Sequence, residues 1–353
     1  MTPAFWKGKR VLLTGHTGFK GAWAALWLSS LGARVTGFSL APETEPSLFR
    51  VARVGETMAS IIADLRDPAA VDAAVSSAEP EIVLHMAAQA LVRRSYRDPV
   101  ATYATNVMGT VHLLDAVRRL SPARAVVVVT SDKCYENREW VWPYRENEAM
   151  GGYDPYSNSK GCAELVTAAY RKSFLAEKGV GVASARAGNV IGGGDWSEDR
   201  LIVDLVRGFA SGNPVLIRQP KSVRPWQHVL EALVGYFTLA EKLHGEPARY
   251  AEGWNFGPAP DDAIPVGEIA DRMAARWGDG ATWVRDGQQG PHEAHLLRLD
   301  ASKARAALGW RPRLPLDQGL DWIIDWHRAE RDGKDMRAVT LDQIARFQAM
   351  GAP

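Results

Sequence analysis

A glycine-rich segment near the start of the chain constrains the fold most. It reads Thr14-Gly15-His16-Thr17-Gly18-Phe19-Lys20-Gly21. The segment follows a short apolar run and precedes an amphipathic helical pattern. Its glycines permit a tight turn, close approach of the backbone to a pyrophosphate, and close packing of helix on strand. The helix would direct free N–H groups and its positive end at the phosphates. This context predicts a dinucleotide site rather than a plain turn.

Strand and helix patterns alternate through the first half of the chain. The apolar runs that predict strands are 10–14, 34–40, 81–85, 124–130 and 181–186. The helical patterns between them are 20–31, 100–120 and 156–177. Apolar strands that alternate with helices are typical of a parallel sheet covered on both faces. The sequence therefore predicts an α/β fold, a Rossmann-type doubly wound parallel sheet with a smaller, mixed α/β substrate-binding lobe.

The pattern becomes irregular after Asn189, where glycines and prolines punctuate the chain. We expect the second lobe to begin there. The predicted divisions are a nucleotide-binding Rossmann domain, 1–188, to which about 229–256 returns; a substrate-binding lobe, 189–228 and 257–330; and a C-terminal tail, 331–353. The polar stretch 336–353 of this tail is expected to be mobile.

Composition argues against several classes of partner. The formal net charge is +1, so no global field favours nucleic acid or an anionic membrane. No apolar run approaches the roughly 20 residues that span a bilayer, and the N-terminal segment lacks the apolar core of a signal peptide. The cysteines, Cys134 and Cys162, do not make a disulfide scaffold. We therefore expect a cytoplasmic protein without nucleic-acid or membrane partners.

The end of the second predicted strand bears on the choice of dinucleotide. An acid about 20 residues after the first glycine usually holds the adenosine ribose, but Ser39 occupies this region. Ser39 can hydrogen-bond a ribose hydroxyl without excluding a 2′-phosphate, so NAD is favoured and NADP stays open. Asp64 and Leu65 could frame the adenine, although Asp64 could also cap a loop. The other candidate cofactor contacts are Thr17, Phe19, Lys20, Ala87, Ala88, Gln89 and Asn106.

Two clusters of reactive side chains follow. Tyr156 and Lys160 are four residues apart, which places both on one face of a helix. A phenol titrates at about pKa 10, and a neighbouring ammonium favours its phenolate, so this pair can take an alcohol proton during hydride transfer. Ser131, Asp132 and Lys133 end a predicted strand, and strand carboxyl ends face the ligand crevice of open α/β sheets. Loop capping is the alternative for Ser131 and Asp132.

These motifs resemble the CDP-glucose 4,6-dehydratase family. That family belongs, with GDP-mannose and dTDP-glucose dehydratases, to the extended short-chain dehydrogenases/reductases. The resemblance extends over 5–330, and the segments that carry it are 14–21, 130–137, 154–164, 186–200 and 224–229. The most discriminating segment is Thr130-Ser131-Asp132-Lys133, because the dTDP-glucose relatives carry an acid at the position of Lys133.

The resemblance implies a lyase that converts CDP-D-glucose to CDP-4-dehydro-6-deoxy-D-glucose and water, in deoxysugar and surface-polysaccharide (lipopolysaccharide O-antigen) biosynthesis. It implies tightly held NAD, used catalytically for oxidation at C4 and reduction at C6. It assigns Ser131, Tyr156 and Lys160 to hydride transfer, and Asp132 and Lys133 to elimination across C5 and C6. Whether Lys133 is a base or an electrostatic group stays open. A homodimer or homotetramer is also implied.

Substrate contacts are expected mainly from the second half of the chain. The resemblance assigns Arg224 to the nucleotide diphosphate, which its guanidinium fork suits, with a surface salt bridge as the alternative. The remaining candidates are Asn189, Arg200, His228, Asn255 and His292. His292 and His295 are spaced like metal ligands, but no third ligand is evident in the sequence, so no metal site is expected.

Other functions on the same fold stay open. One is another nucleotide-sugar enzyme, either a GDP-mannose or dTDP-glucose dehydratase or a 4-epimerase. A 4-epimerase needs a Tyr/Lys pair but no acid and amine for elimination, so Asp132 and Lys133 count against it. A different class is a non-catalytic dinucleotide-binding protein, against which the presence of Tyr156 and Lys160 counts.

Overall fold

A computed structural model describes residues 1–287 and 295–351. The described strands are β1 (Arg10–Thr14), β2 (Arg34–Ser39), β3 (Ala59–Ile62), β4 (Ile82–His85), β5 (Ala125–Val129), β6 (Gly181–Ala187), β7 (Asn189–Ile191), β8 (Val215–Ile217), β9 (Val223–His228), β10 (Gly253–Phe256), β11 (Ala263–Pro265) and β12 (Trp283–Arg285). The described α-helices are α1 (Pro3–Trp6), α2 (Phe19–Ser30), α3 (Leu48–Val51), α4 (Pro68–Ala78), α5 (Val92–Arg97), α6 (Pro99–Tyr103), α7 (Gly109–Leu120), α8 (Pro155–Tyr170), α9 (Leu201–Ala210), α10 (Val229–Gly245), α11 (Pro247–Tyr250), α12 (Val266–Trp277), α13 (Ser302–Leu308), α14 (Leu316–Arg331) and α15 (Met336–Ala349). There are also 3-10 helices (Val54–Glu56, Asp132–Cys134 and Pro260–Asp262) and π-helical turns (Ala104–Met108 and Arg171–Leu175).

The central sheet is parallel and, within the described residues, has seven strands in the order β10-β6-β5-β4-β1-β2-β3. Every residue of β4, β5 and β6 is buried. Alternate residues of β5 face opposite sides: Val127 and Val129 join the apolar cluster that contains α2 and α10, whereas Val126 and Val128 join the cluster that contains α4 and α7. The sheet is therefore covered on both faces, and the predicted Rossmann-type fold is confirmed.

Smaller sheets follow the break in pattern after β6. One has the strand order β11-β9-β7, and the other pairs β12 with β8. Their apolar sides share a cluster with α9, α12 and α14. The strand β10 joins the central sheet beside β6, so the chain returns from the small sheets to the Rossmann sheet at 253–256.

Two predicted long helices are each interrupted. The helix expected at 100–120 consists of α6, a π-helical turn and α7, and the one expected at 156–177 ends as a π-helical turn after α8. Both begin with an acid at the N-cap and proline in the first turn: Asp98 precedes α6 and Asp154 precedes α8. This pattern satisfies free N–H groups and presets the backbone for a helix.

The prediction of a mobile stretch at 336–353 is wrong for 336–349. Residues 336–349 form α15, which packs on α2 and α14. Ile344 and Phe347 are buried, and the Phe347 ring lies 5.8 Å from the Trp27 ring of α2. The sequence misled because apolar residues are mixed with polar and charged ones along this helix, so the pattern does not show which of them reach the core. None of the described helices is both long and apolar enough to cross a bilayer.

Candidate active site

The glycine turn between β1 and α2 leaves open space where a pyrophosphate would lie. Gly15 has φ +81°, and a Cβ there would meet the Ala87 nitrogen at 2.8 Å. A Cβ on Gly21 would meet the Gly15 carbonyl oxygen at 2.0 Å. At Gly18, by contrast, only the Gly15 oxygen comes within 4 Å, at 3.5 Å. The first and third glycines are therefore required by packing, while the middle one faces unoccupied room at the start of α2.

The start of α2 supplies the groups that an anion needs. Gly18 is the N-cap, with extended backbone and no capping side chain, and Phe19 is the first helical residue. The first-turn amides of a helix have no intrahelical acceptor, so they are available to phosphate oxygens. This open turn and uncapped helix fit the pyrophosphate of NAD.

The end of β2 carries hydroxyls instead of the usual acid. The Thr17 hydroxyl lies 2.8 Å from that of Ser39 and donates to the Leu40 carbonyl at 2.8 Å. Asp64 instead accepts two hydrogen bonds from the Arg66 guanidinium, so its carboxylate is engaged locally, in line with the alternative of a loop contact. Leu65 is buried beside Gly109. The hydroxyl pair is thus the group best placed to contact a ribose.

The loop after β4 is held against the helical layer. Ala87 donates its N–H to the Thr14 hydroxyl, and Ala88 is half-buried beside it. The Gln89 N–H donates to Asn106 Oδ1 at 2.8 Å, and Asn106 Nδ2 donates to the Gln89 carbonyl at 2.9 Å. Asn106 is therefore buried and fully used in fixing this loop. Asn106 also donates to the Ser159 hydroxyl of α8 at 2.9 Å, so it supports the loop that carries Gln89, a candidate cofactor contact.

Two ionisable residues of the glycine segment have unusual environments. Burial, together with the charges of Lys160 and Arg200, lowers the pKa of Lys20 to about 7. Burial also lowers the pKa of His16 to about 4; its Nε2 lies 2.7 Å from the Ser60 hydroxyl. His16 was not among the sequence-predicted contacts. Its ring occupies the space that a side chain at Gly37 would need.

Tyr156 and Lys160 lie one turn apart on α8 and are both buried. Burial raises the pKa of the Tyr156 phenol, while a hydrogen bond with Ser131 and the charge of Arg200 oppose the rise. Burial lowers the pKa of Lys160 to about 8, and its ammonium donates to the Val129 carbonyl at 3.2 Å. The carbonyl at the end of β5 thereby anchors the amine that lies one helical turn from the phenol.

The segment after β5 brings an acid and an amine to the same place. Ser131 donates its hydroxyl hydrogen to Asp132 Oδ1 at 3.0 Å and accepts the Lys133 N–H at 3.2 Å. Asp132 Oδ2 is buried and has no hydrogen-bond partner among the described residues. Since Ser131 also contacts Tyr156, the structure gathers all of these side chains at the carboxyl end of β5.

Burial shifts the pKa of Asp132 and that of Lys133 in opposite directions. It raises the pKa of the Asp132 carboxyl, against the charges of Lys133 and Arg224. It lowers the pKa of Lys133, an effect that Asp154 opposes and Arg224 reinforces. Both shifts favour the uncharged forms. An uncharged Asp132 can donate a proton and an uncharged Lys133 can accept one.

The substrate candidates divide into two groups. Arg224 on β9 is buried, and its charge lowers the pKa of both Asp132 and Lys133. Arg200 is exposed, and its charge lowers the pKa of Tyr156 and Lys133. Both guanidinium groups therefore face the reactive cluster. Asn189 is half-buried at the start of β7. The two arginines are therefore the substrate candidates that lie beside the reactive cluster.

Two substrate predictions do not fit the structure. His228 is buried with its ring between Trp23 and Trp322, and its Nδ1 accepts the Leu230 N–H. Asn255 is fully buried, and its amide bonds Tyr135 and two backbone carbonyls. Both side chains hold distant segments together. His292 lies outside the described residues.

Sequence reasoning missed a buried ion pair beside the reactive cluster. Glu164 on α8 and Arg186 on β6 meet at 2.7 Å, with side chains only 5% and 6% exposed. It also missed Asp154, whose charge opposes the lowering of the Lys133 pKa. The spacing of Glu164, four residues after Lys160, was the available signal for a third member of that helical face.

Similarity to known proteins agrees with this geometry. Residues 12–322 match the sequence profile of the family described as GDP-mannose 4,6 dehydratase. The chain is 55% identical over 350 residues to the CDP-glucose 4,6-dehydratase of Salmonella typhimurium (strain LT2), with 98% of each protein covered. The chain belongs to the CDP-glucose 4,6-dehydratase family. The resemblance noted in the sequence is therefore confirmed.

More distant relatives of this CDP-glucose 4,6-dehydratase family member share its fold. The dTDP-glucose 4,6-dehydratase of Streptomyces antibioticus is 28% identical over 281 residues, which are 76% of each protein. The structure of UDP-glucose 4-epimerase from Thermotoga maritima superposes with TM-score 0.79 at 21% identity, covering 91% of this chain and 99% of that one. The dTDP-glucose 4,6-dehydratase of Bacillus anthracis, solved in complex with NAD, superposes with TM-score 0.76 at 19% identity, covering 94% and 100%.

Proposed function

We propose that this chain dehydrates CDP-D-glucose to CDP-4-dehydro-6-deoxy-D-glucose, with NAD as its resident cofactor. The observation that carries the proposal is an acid next to an amine beside the phenol: Ser131, which contacts Tyr156, bonds the buried Asp132 carboxyl and the Lys133 backbone N–H. A 4-epimerase has no use for such a pair. The 55% identity to a CDP-glucose 4,6-dehydratase supports the same substrate, and NAD is supported by the open glycine turn and by its presence in a dehydratase of the same fold.

The first half of the reaction is carried by α8. When bound, NAD supplies the acceptor for the C4 hydride and later its donor to C6. Tyr156 takes the proton of the sugar 4-hydroxyl as general base. The Lys160 ammonium stabilises the phenolate, and the Ser131 hydroxyl orients the phenol.

The second half is carried by the segment after β5. The 4-ketone makes the C5 hydrogen acidic, and Lys133, whose pKa burial lowers, removes it. Asp132, whose pKa burial raises, gives its proton to the departing 6-hydroxyl, which leaves as water. Each pKa is thus shifted in the direction that its step requires.

Substrate binding is proposed for the smaller lobe, 189–228 and 257–330. Arg224 holds the diphosphate, because a guanidinium fork offers several donors to phosphate oxygens. Arg200 flanks the same cluster, and Asn189 at the start of β7 is proposed as a further substrate contact. The Rossmann domain, 1–188 with 229–256, holds the cofactor.

We also propose a cytoplasmic homo-oligomer, a dimer or a tetramer. Both cysteines are free, which suits a reducing compartment. The packed layer of α6, α8 and the π-helical turn at 104–108 carries large exposed apolar side chains, including Val100, Met108 and Leu165. Such a patch is a candidate contact with a second copy.

The test of the function is a comparison of four substrates. Purified protein with NAD is incubated with CDP-glucose, dTDP-glucose, UDP-glucose and GDP-mannose, and the 4-keto-6-deoxy product is followed by mass spectrometry and NMR. We expect turnover of CDP-glucose in preference to the others. Preferred dehydration of another nucleotide sugar would show that CDP-glucose is not the substrate. Formation of a 4-epimer without loss of water would show that the enzyme is an epimerase and not a dehydratase.

A further inference from the structure

The Glu164 carboxylate lies at the centre of a buried polar network beside the reactive cluster. It accepts hydrogen bonds from the Thr130 hydroxyl at 2.5 Å and the Ser184 hydroxyl at 2.6 Å. Arg186 donates to its two oxygens, from Nε at 2.9 Å and from Nη2 at 2.7 Å. The carboxylate therefore accepts four hydrogen bonds, two of them from a bidentate guanidinium, which is strong and directional pairing.

The other end of Arg186 reaches the far side of the same segment. Its Nη1 donates to the Tyr135 phenol oxygen at 2.7 Å, and the guanidinium lies 5.1 Å from the centre of the Tyr135 ring. The Tyr135 hydroxyl donates in turn to Asn255 Oδ1 at 2.7 Å. Thr130 directly precedes Ser131, and Tyr135 directly follows the 3-10 helix 132–134. The Glu164–Arg186 pair is therefore hydrogen-bonded to the residues on both sides of the segment 131–134, Thr130 and Tyr135.

The same carboxylate acts on the helix that carries the phenol. Tyr156, Lys160 and Glu164 are spaced at i, i+4 and i+8 on α8 and share one face. The charge of Glu164 raises the pKa of Lys160 against the lowering by burial, which leaves it at about 8. Lys160 is also bound to the carbonyl of Val129, the residue before Thr130. Glu164 thus influences both the segment after β5 and the charge of its neighbouring lysine.

The groups that face Lys160 come from four elements. They are Glu164 and Tyr156 on α8, Cys134 on the 3-10 helix, His85 on β4 and Lys20 on α2. Burial lowers the pKa of His85 to about 3 and raises that of Cys134 well above its ordinary value, so both are uncharged near pH 7. Lys20 adds positive charge as it protonates. Of these five groups, Glu164 alone is negative at neutral pH.

We propose that Glu164, held by Arg186, is a positioning residue for the dehydratase reaction, which fixes both ends of the segment 131–133 and keeps Lys160 charged. The inference rests on the proposed function, since the reaction defines what is positioned. A buried ion pair is costly to desolvate, and apolar residues could fill the same volume. Its hydrogen bonds to both flanks of the reactive segment are what apolar residues could not supply.

Glu164→Gln tests the charge with little change in shape. Without the carboxylate, the pKa of Lys160 falls, so Lys160 loses its proton at lower pH and the phenolate loses its support. We expect the alkaline limb of kcat to move to lower pH by roughly one unit. We expect kcat at its optimum to fall by about 10–100-fold through misplacement of the segment, with KM for CDP-glucose within about twofold.

Two further variants separate charge from position. Tyr135→Phe removes one anchor and leaves the Glu164 charge, so kcat should fall by roughly 3–10-fold with an unmoved alkaline limb. Glu231→Gln is the control, because this buried carboxylate on α10 accepts the backbone N–H groups of Arg313 and Leu314 outside the network. It should change neither kcat nor its pH profile.

A direct titration distinguishes failure of this proposal from failure of the function. Lys160 is followed by NMR in enzyme labelled with 13C at lysine Cε and assigned with Lys160→Met. A lower Lys160 pKa in Glu164→Gln supports the proposal, and an unmoved pKa in the folded variant overturns it whether or not CDP-glucose is the substrate. If Glu164→Gln does not fold, Tyr135→Phe decides, and wild-type kcat in that variant overturns the positioning role. Inactive wild-type enzyme would refute the function alone.

Discussion

At the scale of residues, the surroundings of each reactive side chain shift its pKa towards the proton transfer proposed for it, and Asp132 is the clearest case. Burial raises the pKa of its carboxyl, and one oxygen is free of hydrogen bonds among the described residues. Asp132→Asn keeps the size but cannot donate a proton. We predict that it slows loss of water by about 10²–10⁴-fold while oxidation at C4 continues. Stopped-flow absorbance with CDP-glucose should show reduced nicotinamide accumulating.

Tyr156→Phe is the matched control for that variant. It removes the group that takes the hydroxyl proton, so no reduced nicotinamide should form in a single turnover. If neither variant forms it, residues 131–133 serve hydride transfer, and the division between oxidation and elimination is wrong.

Arg224 is a second case at the scale of residues, because it is proposed to bind one group of the substrate, the diphosphate. Arg224→Ala should weaken CDP-glucose binding by about 1.5–3 kcal/mol, as expected for loss of charge-assisted hydrogen bonds. NAD affinity should barely change. Isothermal titration of both ligands checks this, and unchanged affinity for CDP-glucose would place Arg224 outside the substrate site.

At the scale of elements, substitutions at two glycines of the β1–α2 turn should affect cofactor binding and folding separately. A Cβ at position 18 would have only the Gly15 oxygen within 4 Å, at 3.5 Å, so we expect Gly18→Val to fold. Its side chain fills the room for the pyrophosphate, and NAD binding should be abolished. Gly21→Ala is the contrast, because its Cβ would lie 2.0 Å from the same oxygen and should lower the melting temperature. Undiminished NAD binding by folded Gly18→Val would refute this assignment of the turn.

At the scale of the whole molecule, buried neutral histidines couple stability to pH. Burial lowers the pKa of His16 and His327 to about 4 and that of His85 and His228 to about 3. Unfolded histidine binds a proton below about pH 6.5. The unfolded state therefore binds more of these protons as pH falls from 6.5 towards 4, and stability falls in that window. Buried carboxyls such as Glu231, with pKa about 7, act in the opposite direction.

A single variant isolates one of these protons. His327 lies against the rings of Trp196 and Trp326, so His327→Phe keeps an aromatic ring there. Between pH 7 and 5 the variant should lose about 2 kcal/mol less unfolding free energy than the wild-type protein. Denaturant unfolding at both pH values measures the difference. An equal loss in both proteins would mean that His327 is protonated in the folded state.

Assembly is the other property of the whole molecule. Leu165 is 61% exposed on α8 within the apolar layer proposed as a subunit contact. Leu165→Arg should shift the protein to monomers in light scattering, because a charge would be buried unpaired in the contact. An unchanged oligomer would move the contact to another surface.

The sequence determined the parts of this protein that depend on neighbouring residues. Apolar runs identified five of the seven central strands and missed β3 and β10. The glycine spacing identified the turn, and the i, i+4 spacing placed Tyr156 and Lys160 on one helical face. Such patterns depend on local backbone geometry and on which face of an element is apolar. They can be interpreted without knowing which distant segment packs against that face. The segment 131–133 was predictable for the same reason, because parallel strands present their carboxyl ends at one edge.

Only the tertiary structure decided which distant segments meet. His228 and Asn255 have the residue types of a ligand site, yet tertiary packing engages their side chains in the core. The Glu164–Arg186 pair was missed because a buried polar group takes whichever partner the packing supplies, and nothing in the local pattern names that partner. The helix α15 looked like a tail because its apolar residues are mixed with polar ones, and only packing on α2 and α14 decides which of them are buried. Hydrogen-bond satisfaction and close packing are properties of the assembled fold, so they appear when distant parts of the chain come together.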